Sequence, residues 1–166
     1  MINVLQTIQD SDFCQWVRGS ESLFAFAGIL LVHTIGMGFV VGVNATINLR
    51  ILGFAPAVRL SALEKFFPVL WLGFWLNAAT GVILLAADAV NKLSNPDFYV
   101  KMVFIALAVI NLRALRKRVF GDPLIDKIPP SMNAKVLAIT SLICWLGAIT
   151  AGRLLAYVGP VSGLTK

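Results

Sequence analysis

His33 is the residue best suited to chemistry in this chain, because it is the only histidine and lies inside a long apolar segment. It sits near the middle of an uncharged run over residues 22–49, which is long enough to cross a bilayer. An ionisable imidazole in hydrocarbon requires a hydrogen-bond partner, a bound ligand or a polar pocket. Helical spacing places Met37, Asn44 and Asn48 on nearly the same face as His33. This face is therefore the first candidate for a site.

Two interpretations of His33 follow from these neighbours. In the first, a neutral imidazole bonds Asn77 of the predicted second helix, a threonine or a backbone carbonyl, and only holds the helices together. In the second, His33 is a metal ligand, binding haem b or another tetrapyrrole with Met37 and Asn77 beside it. His33 and Met37 cannot occupy opposite faces of one haem, because they lie on the same side of one helix. Met102 or a second subunit's His33 would complete a six-coordinate site; quinone contact is a further possibility.

Other chemistries lack the residues they need. Copper(I) would suit His33 and Met37, yet the remaining methionines form no motif. Asp88, Asp97 and Glu64 fall near predicted helix ends, so no carboxylate is placed to work with a buried nucleophile or to carry protons through the membrane. We therefore expect a protein that is not an enzyme.

Composition defines the elements that must position His33. The chain has 166 residues, 58% hydrophobic and 13% charged, with a mean hydropathy of +0.85. These values predict an all-α integral membrane four-helix bundle that forms a single domain over residues 1–166. We place the helices at about 22–49, 66–87, 98–115 and 136–157. Residues 1–21 are predicted to form short amphipathic helices on the outer membrane surface, broken at Asp10 and Ser11.

Basic residues are concentrated in the first and third loops. The third loop holds six of them, and four follow the third helix closely: Arg113, Arg116, Lys117 and Arg118. Such clusters are typical of cytoplasmic loops and of lipid headgroup sites. We expect both termini in the periplasm and no binding of nucleic acid, since a soluble basic face with interleaved aromatics is missing.

Small residues and cysteines add constraints on packing. Lines of small or amide residues predict close helix contacts, and they are Gly38 with Gly42, Gly73 with Asn77 and Gly81, and Gly147 with Ala151. Cys14 and Cys144 lie at depths that make a disulfide between them unlikely.

The sequence also resembles a family of small bacterial inner-membrane proteins classified only as a domain of unknown function. The matching residues are His33, Gly36, Gly42, residues 48–53, Thr80 and Gly81, residues 86–90 and 95–98, Lys101 and Asn111. The resemblance implies a four-helix inner-membrane bundle without an established activity. Family members often carry another histidine near the inner end of the third helix, where this chain has Arg116 or a neighbour. The departure implies a structural or accessory role, or a ligand completed by a partner. A looser likeness to four-helix b-type cytochromes is an analogy.

These observations together favour a non-catalytic accessory subunit of a larger membrane assembly, with redox and photosynthetic assemblies as candidates. In this interpretation the subunit holds a pigment or haem at His33, and its partners are membrane lipids and either other membrane subunits or a second copy. The alternative is a small haem-b electron-transfer protein that uses His33 as an axial ligand.

Overall fold

The computed structural model describes residues 2–20 and 22–157, and this part of the chain is helical without strands. Four helices are long and apolar enough to cross a membrane, so the chain is a multi-pass membrane protein with an all-α four-helix bundle, as predicted. The helices are α1 (Ile2–Gln9), α2 (Asp12–Gly19), α3 (Phe26–Leu52), α4 (Phe67–Ala86), α5 (Ala89–Leu93), α6 (Pro96–Leu115) and α7 (Met132–Tyr157). The four spans are α3, α4, α6 and α7.

The spans pack as a row of neighbours. Helix α3 lies against both α4 and α7, and α6 lies against α7, whereas α4 and α6 contact each other little. The largest apolar core fills one end of the bundle, where α3 and α6 end and α4 and α7 begin. Its fully buried side chains include Ile47, Ile51, Phe67, Leu70, Leu112 and Leu115. We call this the cationic end, because it carries nine lysines and arginines, which are Arg50, Arg59, Lys65, Arg113, Arg116, Lys117, Arg118, Lys127 and Lys135.

The ends of the spans differ from the predicted bounds for local reasons. Helix α3 runs to Leu52 because Gly53 adopts a left-handed conformation, with φ 107°, that stops it. Helix α7 begins at Met132, just after Pro130 and Ser131, and the Ser131 hydroxyl accepts a hydrogen bond from the Ala134 N–H. Helix α6 passes into a π-helical turn over Arg116–Phe120, which carries the basic run.

Two short helices precede the first span, as predicted, and contact the end of the bundle opposite the cationic end. Cys14 and Val17 of α2 are buried. Helix α1 packs on α5, where the Gln9 side-chain oxygen accepts a hydrogen bond from the Val90 N–H at 3.1 Å. Cys14 and Cys144 are both free thiols, Cys14 buried on α2 and Cys144 half-buried on α7.

The first and third loops are joined at the cationic end by Asp126. The first loop forms a 3₁₀ helix over Ser61–Phe66. Asp126 accepts hydrogen bonds from the Ser61 N–H at 3.1 Å, from the Ser61 hydroxyl, and from Arg59 at 3.3 Å. The Ser61 hydroxyl and N–H, with Arg59 beside them, hold the pKa of Asp126 below its usual value of 3.8. The carboxylate therefore caps a helix 65 residues away.

Acidification is expected to separate these two loops. Because the pKa of Asp126 is lower in the folded chain than in the unfolded one, its stabilising contribution is complete above pH 3.8 and is lost as the pH falls through the lowered value. Amide hydrogen exchange of the Ser61–Phe66 segment, corrected for intrinsic rates, should therefore rise at low pH. Asp126→Asn should show the same opening at neutral pH. Unchanged exchange in that variant would contradict the capping role.

Candidate functional site

His33 lies on α3 where this helix faces the second half of α4, towards the end opposite the cationic one. Its side chain is half-buried, and Nδ1 lies 3.0 Å from the Thr80 hydroxyl oxygen. Thr80 donates its own proton to the Leu76 carbonyl at 2.6 Å, so its oxygen can only accept from the imidazole. The Thr80 contact therefore places the ring proton on Nδ1 and the lone pair on Nε2.

The second ring nitrogen has a different environment. No residue in the described ranges donates a hydrogen bond to Nε2. A histidine that is anchored through one nitrogen and free at the other has the arrangement that metal-binding histidines use, since the anchor fixes the ring orientation and the tautomer. The geometry is also compatible with a packing role, because one hydrogen bond already satisfies the donor.

Asn77 bonds His33 through the backbone, not through the ring. Its amide donates to the His33 carbonyl oxygen at 2.8 Å, so the predicted hydrogen bond is formed at a different atom. Gly81, one turn further along α4, provides the space that the imidazole fills, because a Cβ there would lie 3.2 Å from His33 Cε1. Thr80 and Gly81 therefore belong to the site, although neither was predicted as a site residue. The sequence pointed to them only as two of the residues that match the bacterial family, without indicating a role for either.

The crossing of α3 and α4 next to this site is made by two glycines. A Cβ on Gly36 would lie 2.9 Å from the Gly73 carbonyl oxygen, and a Cβ on Gly73 would lie 2.7 Å from Phe39 Cβ. The predicted contact role of Gly73 fits this geometry. A Cβ at Gly38 or Gly42 would meet nothing within 4 Å, so neither glycine makes a close helix contact of this kind with the described residues. Gly36, two residues before Gly38, is the glycine that faces α4.

The asparagines of α3 form a second, separate polar cluster. Asn44 is 1% exposed, and its side-chain oxygen accepts hydrogen bonds from Ser141 of α7 at 2.9 Å and from Asn48 at 2.5 Å. Within the described ranges, Asn44 Nδ2 and Asn48 Oδ1 have no partner. The predicted polar face of α3 is thus divided: His33 faces α4, whereas Asn44 joins α3 to α7.

Ligands that could accompany His33 are few. The described residues contain no group of three or more His, Cys, Asp or Glu side chains placed to hold a metal ion. Met37 is half-buried on the same helix, and Met102 is 47% exposed on α6. The described residues therefore offer no ready set of acidic, cysteine or histidine ligands to accompany His33.

Two lysines lie close enough to the imidazole to act on it electrostatically, and they are Lys101 and Lys92. The aliphatic stem of Lys101 packs beside Gly152 of α7. Lys92 donates to the Leu84 carbonyl at 2.5 Å, and burial lowers the pKa of its ammonium group. Asp88, the nearby carboxylate, accepts from the Asn91 side chain at 2.8 Å. The surroundings of His33 are therefore positively charged.

The four basic residues predicted as a headgroup site lie together at the cationic end and are exposed. Three of them, Arg113, Arg116 and Lys117, line a cavity between α4 and α6, whereas Arg118 is not among its lining residues.

Comparison of the chain with protein-family models, with curated proteins and with solved structures finds no match.

Proposed function

We propose that this chain is a non-catalytic membrane subunit that supplies one axial ligand, Nε2 of His33, to a tetrapyrrole such as haem or a pigment. The observation that carries the proposal is the hydrogen bond from Nδ1 to Thr80, which leaves the Nε2 lone pair without a donor among the described residues. Iron and the metals of related macrocycles bind imidazole at such a nitrogen. The tetrapyrrole would supply light absorption or electron transfer when bound, and the chain would supply the ligand that holds and orients it.

The need for a larger assembly follows from the single ligand. Met37 cannot reach the opposite face of a macrocycle bound to His33, because both lie on one side of α3, and Met102 is largely exposed on α6. A six-coordinate centre would take its second ligand from another subunit, or from the same histidine of a second copy. A five-coordinate centre would need no second ligand.

Charge near His33 supports an anionic cofactor. Lys101 and Lys92 act on the imidazole, and both are half-buried. Haem and several pigments of its class carry carboxylate side chains, which such cations would stabilise. Lys101 and Lys92 are the charged side chains that act on the ring among the described residues, and the carboxylate of Asp88 acts on Lys92, where it favours the charged ammonium group.

We further propose a bacterial inner-membrane location with both termini in the periplasm. The support is the charge asymmetry: nine basic residues lie at the cationic end, whereas the opposite end carries Arg18, Lys92, Lys101 and Arg153 within its described part. Lysine and arginine are retained on the cytoplasmic side of inner membranes. The resemblance to the bacterial family implies the inner-membrane location.

An absorption spectrum of the purified full chain, expressed with haem supplied, tests the function. We expect a Soret band, and we expect zinc protoporphyrin, which takes one axial ligand, to bind with a shifted spectrum. A ratio of one haem to two chains would identify the symmetric dimer. If neither porphyrin binds, the ligand role is wrong. If the chain migrates in detergent as a monomer and co-purifies with nothing, the subunit role is wrong. A monomer whose haem is reversibly reduced would instead favour the haem-b electron carrier.

A further inference from the structure

A cavity of about 510 Å³ lies at the cationic end, between the start of α4 and the end of α6. Its walls include Arg113, Arg116 and Lys117 from the end of α6 and the turn that follows it. The 3₁₀ helix and the start of α4 contribute Glu64, Phe67 and Trp71. The cavity exists because α4 and α6 contact each other little, so that the rest of the bundle holds them apart.

The positive charge in this cavity is not neutralised by the chain. Within residues 2–20 and 22–157, ion pairs are formed by Arg18 with Asp10 and by Arg59 with Asp126. Neither involves the three basic residues of the cavity. Glu64 is the one carboxylate on its described walls, which leaves an excess of positive charge for an anion to balance.

Aromatic rings position the two arginines. The Arg113 guanidinium lies 5.9 Å from the Trp71 ring centroid, and the Arg116 guanidinium lies 5.2 Å from that of Phe67. Phe67 is itself fixed, being 2% exposed and packed edge-on against Phe120 at 5.0 Å. A guanidinium held over a ring by a cation–π contact spends no hydrogen-bond donor on it, so its N–H groups remain available in the planar geometry that a phosphate accepts.

We propose that this cavity binds the phosphate of an anionic phospholipid. Three cations with free hydrogen-bond donors suit the phosphate of the headgroup. Basic pockets between transmembrane helices on the cytoplasmic side of membrane proteins bind such lipids, and this is the side proposed above for the cationic end. The surfaces that lead away from the cavity along the two helices are apolar and exposed, at Leu72 and Trp75 of α4 and at Ile110 of α6. These surfaces suit acyl chains, which a soluble phosphate lacks. The proposal does not depend on a ligand at His33.

The test measures binding of the full chain in nanodiscs of phosphatidylcholine with increasing phosphatidylglycerol, read by native mass spectrometry of retained lipid. The variant Arg113→Gln/Arg116→Gln should lose at least about tenfold in affinity for phosphatidylglycerol. Arg118→Gln removes one charge from the same run without touching the cavity, and should retain the affinity within about twofold. Glu64→Gln should strengthen binding, because it removes the negative charge from the cavity walls.

Three outcomes would overturn the proposal. Equal weakening by Arg118→Gln and by single substitutions at Arg113 or Arg116 would mean general surface attraction without a site. Displacement of the lipid by inorganic phosphate at similar concentrations would mean a site for soluble phosphate. Helical circular dichroism shows whether the double variant is folded. If it is unfolded, the Glu64→Gln variant provides the test, and phosphatidylglycerol binding that is unchanged or weaker in this variant contradicts the site. The porphyrin spectrum should be the same in all these variants.

Discussion

A single methyl group added at Gly36 is expected to destabilise the bundle, whereas the same group at Gly38 is expected to leave it unchanged or slightly more stable. In Gly36→Ala, the new Cβ would lie 2.9 Å from the Gly73 carbonyl oxygen and 3.0 Å from the Asn77 backbone nitrogen. Both neighbours are backbone atoms, which cannot rotate away. The helices must therefore separate, at a cost of about 1–3 kcal/mol typical of overpacking.

Gly38→Ala is the matched control, because it makes the same chemical change two residues away. Nothing lies within 4 Å of a Cβ at Gly38, so the alanine should add only helix propensity, worth up to about 0.5–1 kcal/mol. The free energy of unfolding of both variants can be measured by denaturant titration in mixed micelles. Gly73→Ala should behave like Gly36→Ala. If the Gly36 and Gly38 variants are equally stable, the assigned α3–α4 crossing is wrong.

The second large effect is expected from His33→Ala, which should abolish porphyrin binding while the bundle stays folded. The substitution removes Nε2, the proposed ligand, and one hydrogen bond to Thr80. Hydrogen bonds between membrane helices contribute on average about 0.6 kcal/mol, so the helical content and the elution profile should change little. If the unsubstituted chain binds no porphyrin and the His33→Ala chain does not fold, the packing interpretation of His33 is supported.

Thr80→Val separates the anchor from the ligand. It keeps the side-chain shape and removes the acceptor for Nδ1–H, and loss of such an anchor weakens metal ligation about 10–100-fold. We therefore expect porphyrin titration to show weaker binding and a shifted band, but not a complete loss. Thr34→Val is the control, because the Thr34 hydroxyl donates to the Leu30 carbonyl of its own helix at 2.9 Å. Equal affinity in the Thr80 and Thr34 variants would contradict the anchoring role.

The spans were predictable from the sequence because their length and apolar composition are set by the bilayer. Their ends were less predictable, since Gly53, Ser131 and the π-helical turn act through local geometry that composition does not report. The cap on the 3₁₀ helix was not predicted either. Its acceptor, Asp126, lies 65 residues from Ser61, and only the folded chain brings the two together.

His33 could be singled out from the sequence, but its partner could not. The ring meets Thr80 because the close approach of Gly36 and Gly73 sets the register of α3 against α4. Gly38 and Gly42 have the spacing of a packing motif, yet a Cβ at either would meet nothing within 4 Å, and both line a groove beside Leu63 and Phe66. In a helix that is apolar on every side, composition does not tell which face meets protein and which meets lipid. The rotation of α3 about its own axis, which decides the residues that face α4, could therefore not be predicted from the sequence.

The row order of the spans has a consequence for how the chain assembles. The most extensive contacts join helices that are adjacent in sequence, α3 with α4 and α6 with α7. Each pair forms a helical hairpin that can close soon after its second helix is synthesised, because its two helices follow each other in the sequence and its contacts are local. The two hairpins meet through α3 and α7, where Ser141 donates to Asn44 across 97 residues of chain. We therefore expect the two hairpins to form first and to dock against each other afterwards.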